Sequence, residues 1–278
     1  MASSKHILIT GVSSGFGSAL AQQALAAGHR VVGTVRSAQA AQAFAATHPQ
    51  HAHARLLDVT QFDAIDAIVA QIEAQRGPID VLVNNAGYGH EGILEESPLA
   101  DMRRQFDVNV FGPVAMIRAV LPYMRARRRG HILNVTSMGG YITLPGIAYY
   151  CASKFALEAI SDTLAQEVAA LGIAVTAVAP GSFRTDWAGR SMQRAPRSIS
   201  DYDSLFDPLR QAREAISGKQ LGDAVKAARA MLAVIEADAP PARLLLGSDA
   251  LRLVRAKLAD LERDLQTWQQ LTVSTDHG

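Results

Sequence analysis

Short runs of β-branched residues and leucine alternate along the chain with longer, alanine-rich runs whose apolar positions recur at helical spacing. The strand-like runs are 6–10 (HILIT), 30–35 (RVVGTV), 54–59 (ARLLDV), 80–84 (DVLVN), 131–136 (HILNVT), 174–179 (AVTAVA) and 243–247 (RLLLG). Several are nearly continuous apolar stretches, the pattern of strands covered on both faces. Helical patterns fill the gaps near 17–27, 38–46, 62–75, 99–127, 151–170 and 223–237. This alternation predicts a single α/β domain over residues 1–278, built as a doubly wound parallel seven-stranded sheet with helices on both faces.

Two stretches break the rhythm. Residues 182–218 mix charges, aromatics and prolines and follow a strand, at the sheet edge where ligands usually bind, so a substrate lid is expected there. Residues 249–269 read as a charged amphipathic helix with an apolar stripe, packed on its own domain or used in a subunit contact.

Composition narrows the function classes. The chain has 278 residues, 49% of them hydrophobic, with 27 basic and 26 acidic residues and a net charge of +1. That balance offers no long-range attraction for nucleic acid or an anionic membrane. One cysteine forms no internal disulfide, which favours a reducing compartment. The opening MASSKHILIT lacks the pattern of a signal peptide, and no uncharged apolar stretch approaches the roughly 18 residues of a membrane span. A soluble cytoplasmic protein is expected. His48, His51 and His53 cluster without a zinc-ligand pattern, so no metal is expected. The basic run at 125–129 ends a helix, where cations suit the dipole and water.

Candidate chemistry begins after the first strand, in TGVSSGFG. Gly11, Gly15 and Gly17 permit a tight turn and a close backbone approach. The helix that follows offers free N–H groups and a positive dipole end to a pyrophosphate. No Gly-Lys-Ser/Thr follows, which excludes a P-loop. The second strand ends VGTVRS, without the acidic residue that binds the ribose hydroxyl of NAD. Arg36 instead suits a 2′-phosphate, with Ser13 and Ser14 as further donors, so NADP(H) is expected over NAD(H).

The second constellation is AYYCASK, 148–154. Tyr150 and Lys154 are four apart and share a helix face. A nearby ammonium favours a phenolate and tunes tyrosine for proton exchange. Tyr149 and Ser153 lie about 100° round the helix and read as packing or helix surface. Cys151 lacks a base and an oxyanion pocket, and reads as a packing residue. Ser137 ends one strand, NNAG ends another, and Asn109 lies in the following helical region.

In this order TGVSSGFG, NNAG, Asn109 in NVFG, Ser137, YCASK and Pro180-Gly181 resemble the single-domain branch of the short-chain dehydrogenase/reductase family, over roughly residues 5–187. The fold implied is Rossmann-type. The resemblance implies Tyr150 as proton donor and acceptor, and Lys154 as the residue that lowers its pKa and binds the nicotinamide ribose. It implies Ser137 as the group orienting the substrate oxygen, and Asn109 as the holder of a relay water. Gly11, Ser13, Ser14, Gly15, Phe16, Gly17 and Arg36 would bind the pyrophosphate and adenosine phosphate. Asp58, with Val59, would contact the adenine, and Asn85, Ala86 and Gly87 would line its ribose. Pro180, Gly181, Phe183 and Thr185 would border the nicotinamide. Within the family the motifs are similar to hydroxysteroid and retinol dehydrogenases. The long charged helix after the last strand departs from the common tetrameric members. A homodimer through the helices at about 99–127 and 151–170 is expected instead.

These residues point to an NADP(H)-dependent alcohol dehydrogenase or carbonyl reductase acting on a secondary alcohol or ketone with an apolar body. Met138, Tyr141, Leu144, Phe183, Trp187 and Met192 are candidates for an apolar substrate wall. One alternative is a reductase of 3-oxoacyl chains on a carrier, docked at a basic entrance of Arg190, Arg194 and Arg197. The other is a cofactor-binding redox sensor without turnover, for which an intact Ser137–Tyr150–Lys154 set has no use.

Overall fold

The run HILIT is buried along its whole length as strand β1 (His6–Thr10), in the middle of the sheet. Successive residues of a strand face opposite ways. Here Ile7 and Ile9 join an apolar cluster with Leu20, Phe44 and Ile235, while Leu8 joins another with Ile72, Met116 and Leu164. Two covered faces explain why the strand reads as an unbroken apolar run.

The computed structural model describes residues 4–185, 187, 189 and 191–277. Beside β1 stand β2 (Arg30–Val35), β3 (Ala52–Leu56) and β4 (Val81–Asn84). A short β5 (Gly89–Glu91) lies apart, and the main sheet continues with β6 (Gly130–Val135) and β7 (Ile173–Pro180). Another short strand, β8 (Met192–Arg194), precedes the last one, β9 (Arg243–Leu246). The main sheet has seven strands in the order β3-β2-β1-β4-β6-β7-β9, and every pairing is parallel. Helices α1 (Gly15–Ala26) and α2 (Ala38–Thr47) cover one face, and α3 (Phe62–Arg76) the other. Beyond α4 (Leu99–Phe106), α5 (Gly112–Arg127) and α6 (Ala148–Val168) pack beside α3. The chain ends through α7 (Asp203–Ile216), α8 (Ala224–Glu236), which packs against α1, and α9 (Ser248–Val273).

Three elements differ from the sequence reading. The third strand ends at Leu56, which leaves Asp58 and Val59 in the loop beyond its carboxyl end. Asp58 makes that loop, accepting hydrogen bonds from the Thr60 N–H at 3.0 Å and its hydroxyl at 2.8 Å. The expected helix at 99–127 is interrupted by a π-helical turn, Asp107–Phe111, which carries Asn109. The last helix is longer than 249–269, and only its Ala250 and Val254 are buried. Among the described residues, no helix is long and apolar enough to cross a membrane.

The stretch expected as a lid contributes β8, a 3₁₀ turn (Ser200–Tyr202) and α7. β8 pairs with β5 in a separate two-stranded sheet. Two carboxylates hold it down. Glu91, wholly buried, accepts from Arg194 at 3.0 Å and Arg213 at 2.8 Å. Glu96 accepts from Arg197 at 2.9 Å and from the N–H groups of Ser198 and Ile199 at 2.6 and 2.7 Å. Leaving the wholly buried Glu91 without its arginines would cost about 3–5 kcal/mol. Arg194 and Arg197 are thus occupied as struts, which removes two residues of the imagined basic entrance. Arg190 lies outside the described residues.

Candidate active site

The strand order reverses at β1, flanked by β2 on one side and β4 on the other. Crevices form at the carboxyl ends of strands at such a switch point. Here a cleft of about 720 Å³ runs from Arg36 and Asp58 at one end to Leu144, Trp187 and Ile216 at the other.

Between these ends the glycine loop forms the floor. Gly11 and Gly15 have φ of +75° and +58°, a left-handed backbone that favours glycine. A β-carbon on Gly17 would collide with the Gly11 carbonyl and the Asn85 amide. Ser14 is the N-cap residue of α1 yet makes no capping hydrogen bond with its side chain. Ser13, Ser14, Gly15 and Phe16 therefore line the cleft beside a helix N-terminus with no acidic residue in its first turn. That donor set fits a pyrophosphate.

Asn85 also lines the cleft, but its side chain is spent on the loop. It donates to the carbonyls of Thr10 and Gly11, both at 2.9 Å. Thr10 Oγ1 in turn accepts from the N–H groups of Asn85 and Ala86, both at 3.0 Å. Ala86 and Gly87 leave bare backbone along the cleft wall.

Arg36 lines the cleft and makes no hydrogen bond or ion pair among the described residues. Burial would raise the Asp58 carboxyl, but the two bonds from Thr60, with Arg36 and Arg104 nearby, hold it below the usual carboxylate range. Arg104, exposed on α4, also lines this end. Sequence reasoning missed it, because only the tertiary fold brings α4 beside the loop after β3. Val59 lines the cleft too and packs closely on Gly112.

At the other end Tyr150 sits in the first turn of α6, one turn before Lys154. The Lys154 ammonium donates to the Val135 carbonyl at 2.9 Å and lies 5.8 Å from the centre of the Tyr150 ring. Burial pushes the lysine down to about 8, against the pull of Glu158. Burial likewise pushes the phenol up to about 12, with Ser137 and the Trp187 indole opposing the shift. Desolvation thus dominates at Tyr150, and the lowering expected from Lys154 is not among the influences on it. Ser137 Oγ accepts from the Gly139 N–H at 3.0 Å, which leaves its own proton available. A β-carbon on Gly139 would lie 3.4 Å from both Ser137 Oγ and Tyr150 Cε1, so the missing side chain keeps this corner open.

Asn109 does not line the cleft. Its amide donates to the Tyr88 carbonyl at 3.0 Å and to Ser153 Oγ at 3.1 Å, and its oxygen accepts from the Tyr88 N–H at 3.2 Å. Both amide protons are committed, so a water could be held by this side chain only at the remaining lone pair of Oδ1. Ser153, expected as packing or helix surface, is fully buried and links Asn109 to the Tyr150 carbonyl through a 2.7 Å bond. Tyr149 turns away and donates to the Ser97 carbonyl at 2.8 Å. Cys151 is buried against Ile147 and Tyr150, and burial raises its thiol pKa.

Of the expected apolar wall, Met138, Leu144, Phe183, Trp187 and Met192 line the cleft. The Trp187 ring packs 5.1 Å from that of Tyr150. Tyr141 does not line it, since its hydroxyl donates to Glu158 at 2.9 Å. Pro180, Gly181 and Thr185 border the same end. Phe183 stacks edge-on against Phe16 at 5.2 Å between ring centres. Asp249, at the start of α9, accepts from the Ser182 N–H at 2.8 Å and fills the space beside Gly181.

Comparison with known proteins agrees with this architecture. The family model for short chain dehydrogenase matches residues 5–195. The chain is 39% identical over 225 residues to a 3-ketodihydrosphingosine reductase of Bacteroides thetaiotaomicron, covering 79% of this chain and 81% of that protein. It is 34% identical over 259 residues to human retinol dehydrogenase 8, covering 87% of this chain and 81% of that one. The crystal structure of a short-chain dehydrogenase from Streptomyces avermitilis superposes with a TM-score of 0.91 at 39% identity, over 99% of this chain and all of that one.

Proposed function

The chain belongs to the short-chain dehydrogenase family, and on that footing we propose that it is an NADP(H)-dependent oxidoreductase of secondary alcohols and ketones with an apolar body. The observation that carries this reading is the shared cleft. Tyr150 and Ser137 open onto its apolar end, the glycine loop lines its floor, and Arg36 lines the opposite end.

A bound nicotinamide dinucleotide supplies or accepts the hydride. Its pyrophosphate would be held at the N-terminus of α1 by Ser13, Ser14, Gly15 and Phe16, and an adenosine 2′-phosphate by Arg36. An unpaired guanidinium, with no carboxylate at the end of β2, supports NADP(H) over NAD(H). Asp58 and Val59 would flank the adenine, and Pro180, Gly181, Phe183 and Thr185 the nicotinamide.

The chain's own residues handle the proton and the oxygen. Ser137 donates its hydroxyl proton to the substrate oxygen and fixes its position. Tyr150 gives a proton to that oxygen in reduction and takes one in oxidation. Lys154, when charged, steadies the phenolate from the adjacent turn. Asn109 and Ser153 hold the backbone at Tyr150. Met138, Leu144, Trp187 and Met192 take the apolar body of the substrate and exclude water. A relative named for the reduction of 3-ketodihydrosphingosine supports a ketone with an apolar body, and one named for retinol supports the apolar body alone.

Engagement of Arg194 by Glu91 and of Arg197 by Glu96 speaks against a carrier-docked substrate. Exposed Leu99, Phe111 and Phe155 on the α4–α5 and α6 faces support a dimer through these helices. The testing experiment is a panel of ketones with NADPH and of alcohols with NADP⁺, followed by nicotinamide absorbance. Tight NADPH binding without turnover of any panel member would favour the sensor instead.

A further inference from the structure

Helix α9 is 26 residues long, about 39 Å at 1.5 Å per residue, yet every residue from 255 to 277 is exposed. Its apolar residues recur at alternating steps of three and four: Leu251, Val254, Leu258, Leu261, Leu265 and Trp268. That is the a/d repeat of a coiled-coil seam. Apart from Val254, which its own domain covers, these side chains are between 41% and 62% exposed. Helices in proteins gain most of their stability from burying an apolar face. From Leu258 onward this seam has nothing to bury against among the described residues of its own chain.

We propose that α9 pairs antiparallel with the α9 of a second copy of this chain. Charge selects this occupant and orientation. The first half of the helix carries Arg252, Arg255 and Lys257 with Asp249 and Asp260, the second half Glu262 and Asp264 with Arg263, and at the positions flanking the seam Arg255 and Lys257 precede Glu262 and Asp264. In an antiparallel pair centred between residues 259 and 260, Leu258 meets the other copy's Leu261, and Leu251 meets its Trp268. The flanking positions then bring Arg255 to Glu262 and Lys257 to Asp264, each twice by symmetry. Arg255, Lys257 and Asp264 make no hydrogen bond or ion pair within the described chain. A parallel pair would oppose only Lys257 to Glu262. Sliding to an antiparallel overlap of the overhanging half alone would set Glu262 against Glu262 and Asp264 against Asp264. Like charges across the seam disfavour it. A lipid surface is the poorer match, because Asp249, Asp260, Glu262 and Asp264 balance Arg252, Arg255, Lys257 and Arg263 on the helix.

The test is the solution mass of the full chain by light scattering and sedimentation. Leu258→Lys with Leu265→Lys alters two side chains already exposed in the monomer, so folding and circular dichroism of the body should persist. The expected result is a mass half that of the wild type. An unchanged mass overturns the proposal, as does a monomeric wild type whose binding to mixed phosphatidylcholine–phosphatidylglycerol vesicles is what the variant loses. Orientation is read with a single spin label at Gln270→Cys. Antiparallel pairing puts the two labelled backbones about 30 Å apart. A separation below about 20 Å, as side-by-side parallel helices give, overturns it.

Discussion

The amide of Asn109 donates to the hydroxyl of Ser153 at 3.1 Å, and through it the π-helical turn grips the backbone of Tyr150. An inserted π turn re-aims side chains that an uninterrupted helix would rotate elsewhere. Ser153→Ala leaves the Asn109 amide buried with one proton unpaired, a cost of about 1–3 kcal/mol. Melting temperature should fall, and kcat should drop about tenfold with KM for the carbonyl substrate little changed. A variant with lowered stability but full kcat would make the contact purely structural.

Tyr150→Phe should reduce turnover by about 10²–10⁴, the usual worth of a positioned acid or base, while dinucleotide affinity stays within a few-fold. Tyr149→Phe should keep its activity and lose about 1 kcal/mol of stability with the bond to Ser97. Steady-state kinetics and thermal melts of both variants decide it. If Tyr149→Phe were the inactive one, the register of the site would be wrong by a residue.

Arg36→Ala should raise KM for NADPH about 10–100-fold, the equivalent of one lost charge-assisted contact, and leave KM for NADH nearly unchanged. A preference for NADH in the wild-type protein that survives the substitution would contradict the reading of the cleft's far end.

Acid should destabilise the fold through His131. Burial lowers its pKa from 6.5 to about 4, and Lys5 adds to the effect. Thr176 gives its proton to the Pro241 carbonyl, so it accepts from His131 Nε2, which fixes a neutral tautomer. The unfolded chain binds a proton at this site between pH 6.5 and 4 and the folded one does not. Stability contributed here is present above 6.5 and is lost as pH falls toward 4, by about 3 kcal/mol in all. On the alkaline side Lys154, lowered from 10.5 to about 8, acts in the same sense, and stability rises again from pH 8 toward 10.5. Urea melts across pH, with His131→Gln and Lys154→Met as controls, should flatten each limb in turn.

Much of this was legible before any coordinates. HILIT and its counterparts announced strands covered on both faces, and the spacing of Tyr150 and Lys154 fixed their common helix face. What sequence could not give depends on contacts between distant segments. The π turn inside 107–111 has no local signature, since DVNVF is as compatible with an ordinary helix. Ser153 looks like surface until α6 is packed on that turn. Glu91 and Glu96 gain their meaning only when arginines 100 or more residues away fold over them. The end of β3 is not legible locally, because Leu57 and Val59 extend the apolar run on either side of Asp58, while the Thr60 bonds to Asp58 turn the chain.

The lone thiol, sealed against Tyr150, makes this chain its own reporter. A reagent cannot reach buried Cys151 without parting the residues that pack with it around Tyr150. Its labelling rate in the native protein therefore times the local opening of the active-site wall, with no probe introduced. Compared with and without dinucleotide, that clock would measure how far the ligand holds the wall shut, independently of any turnover.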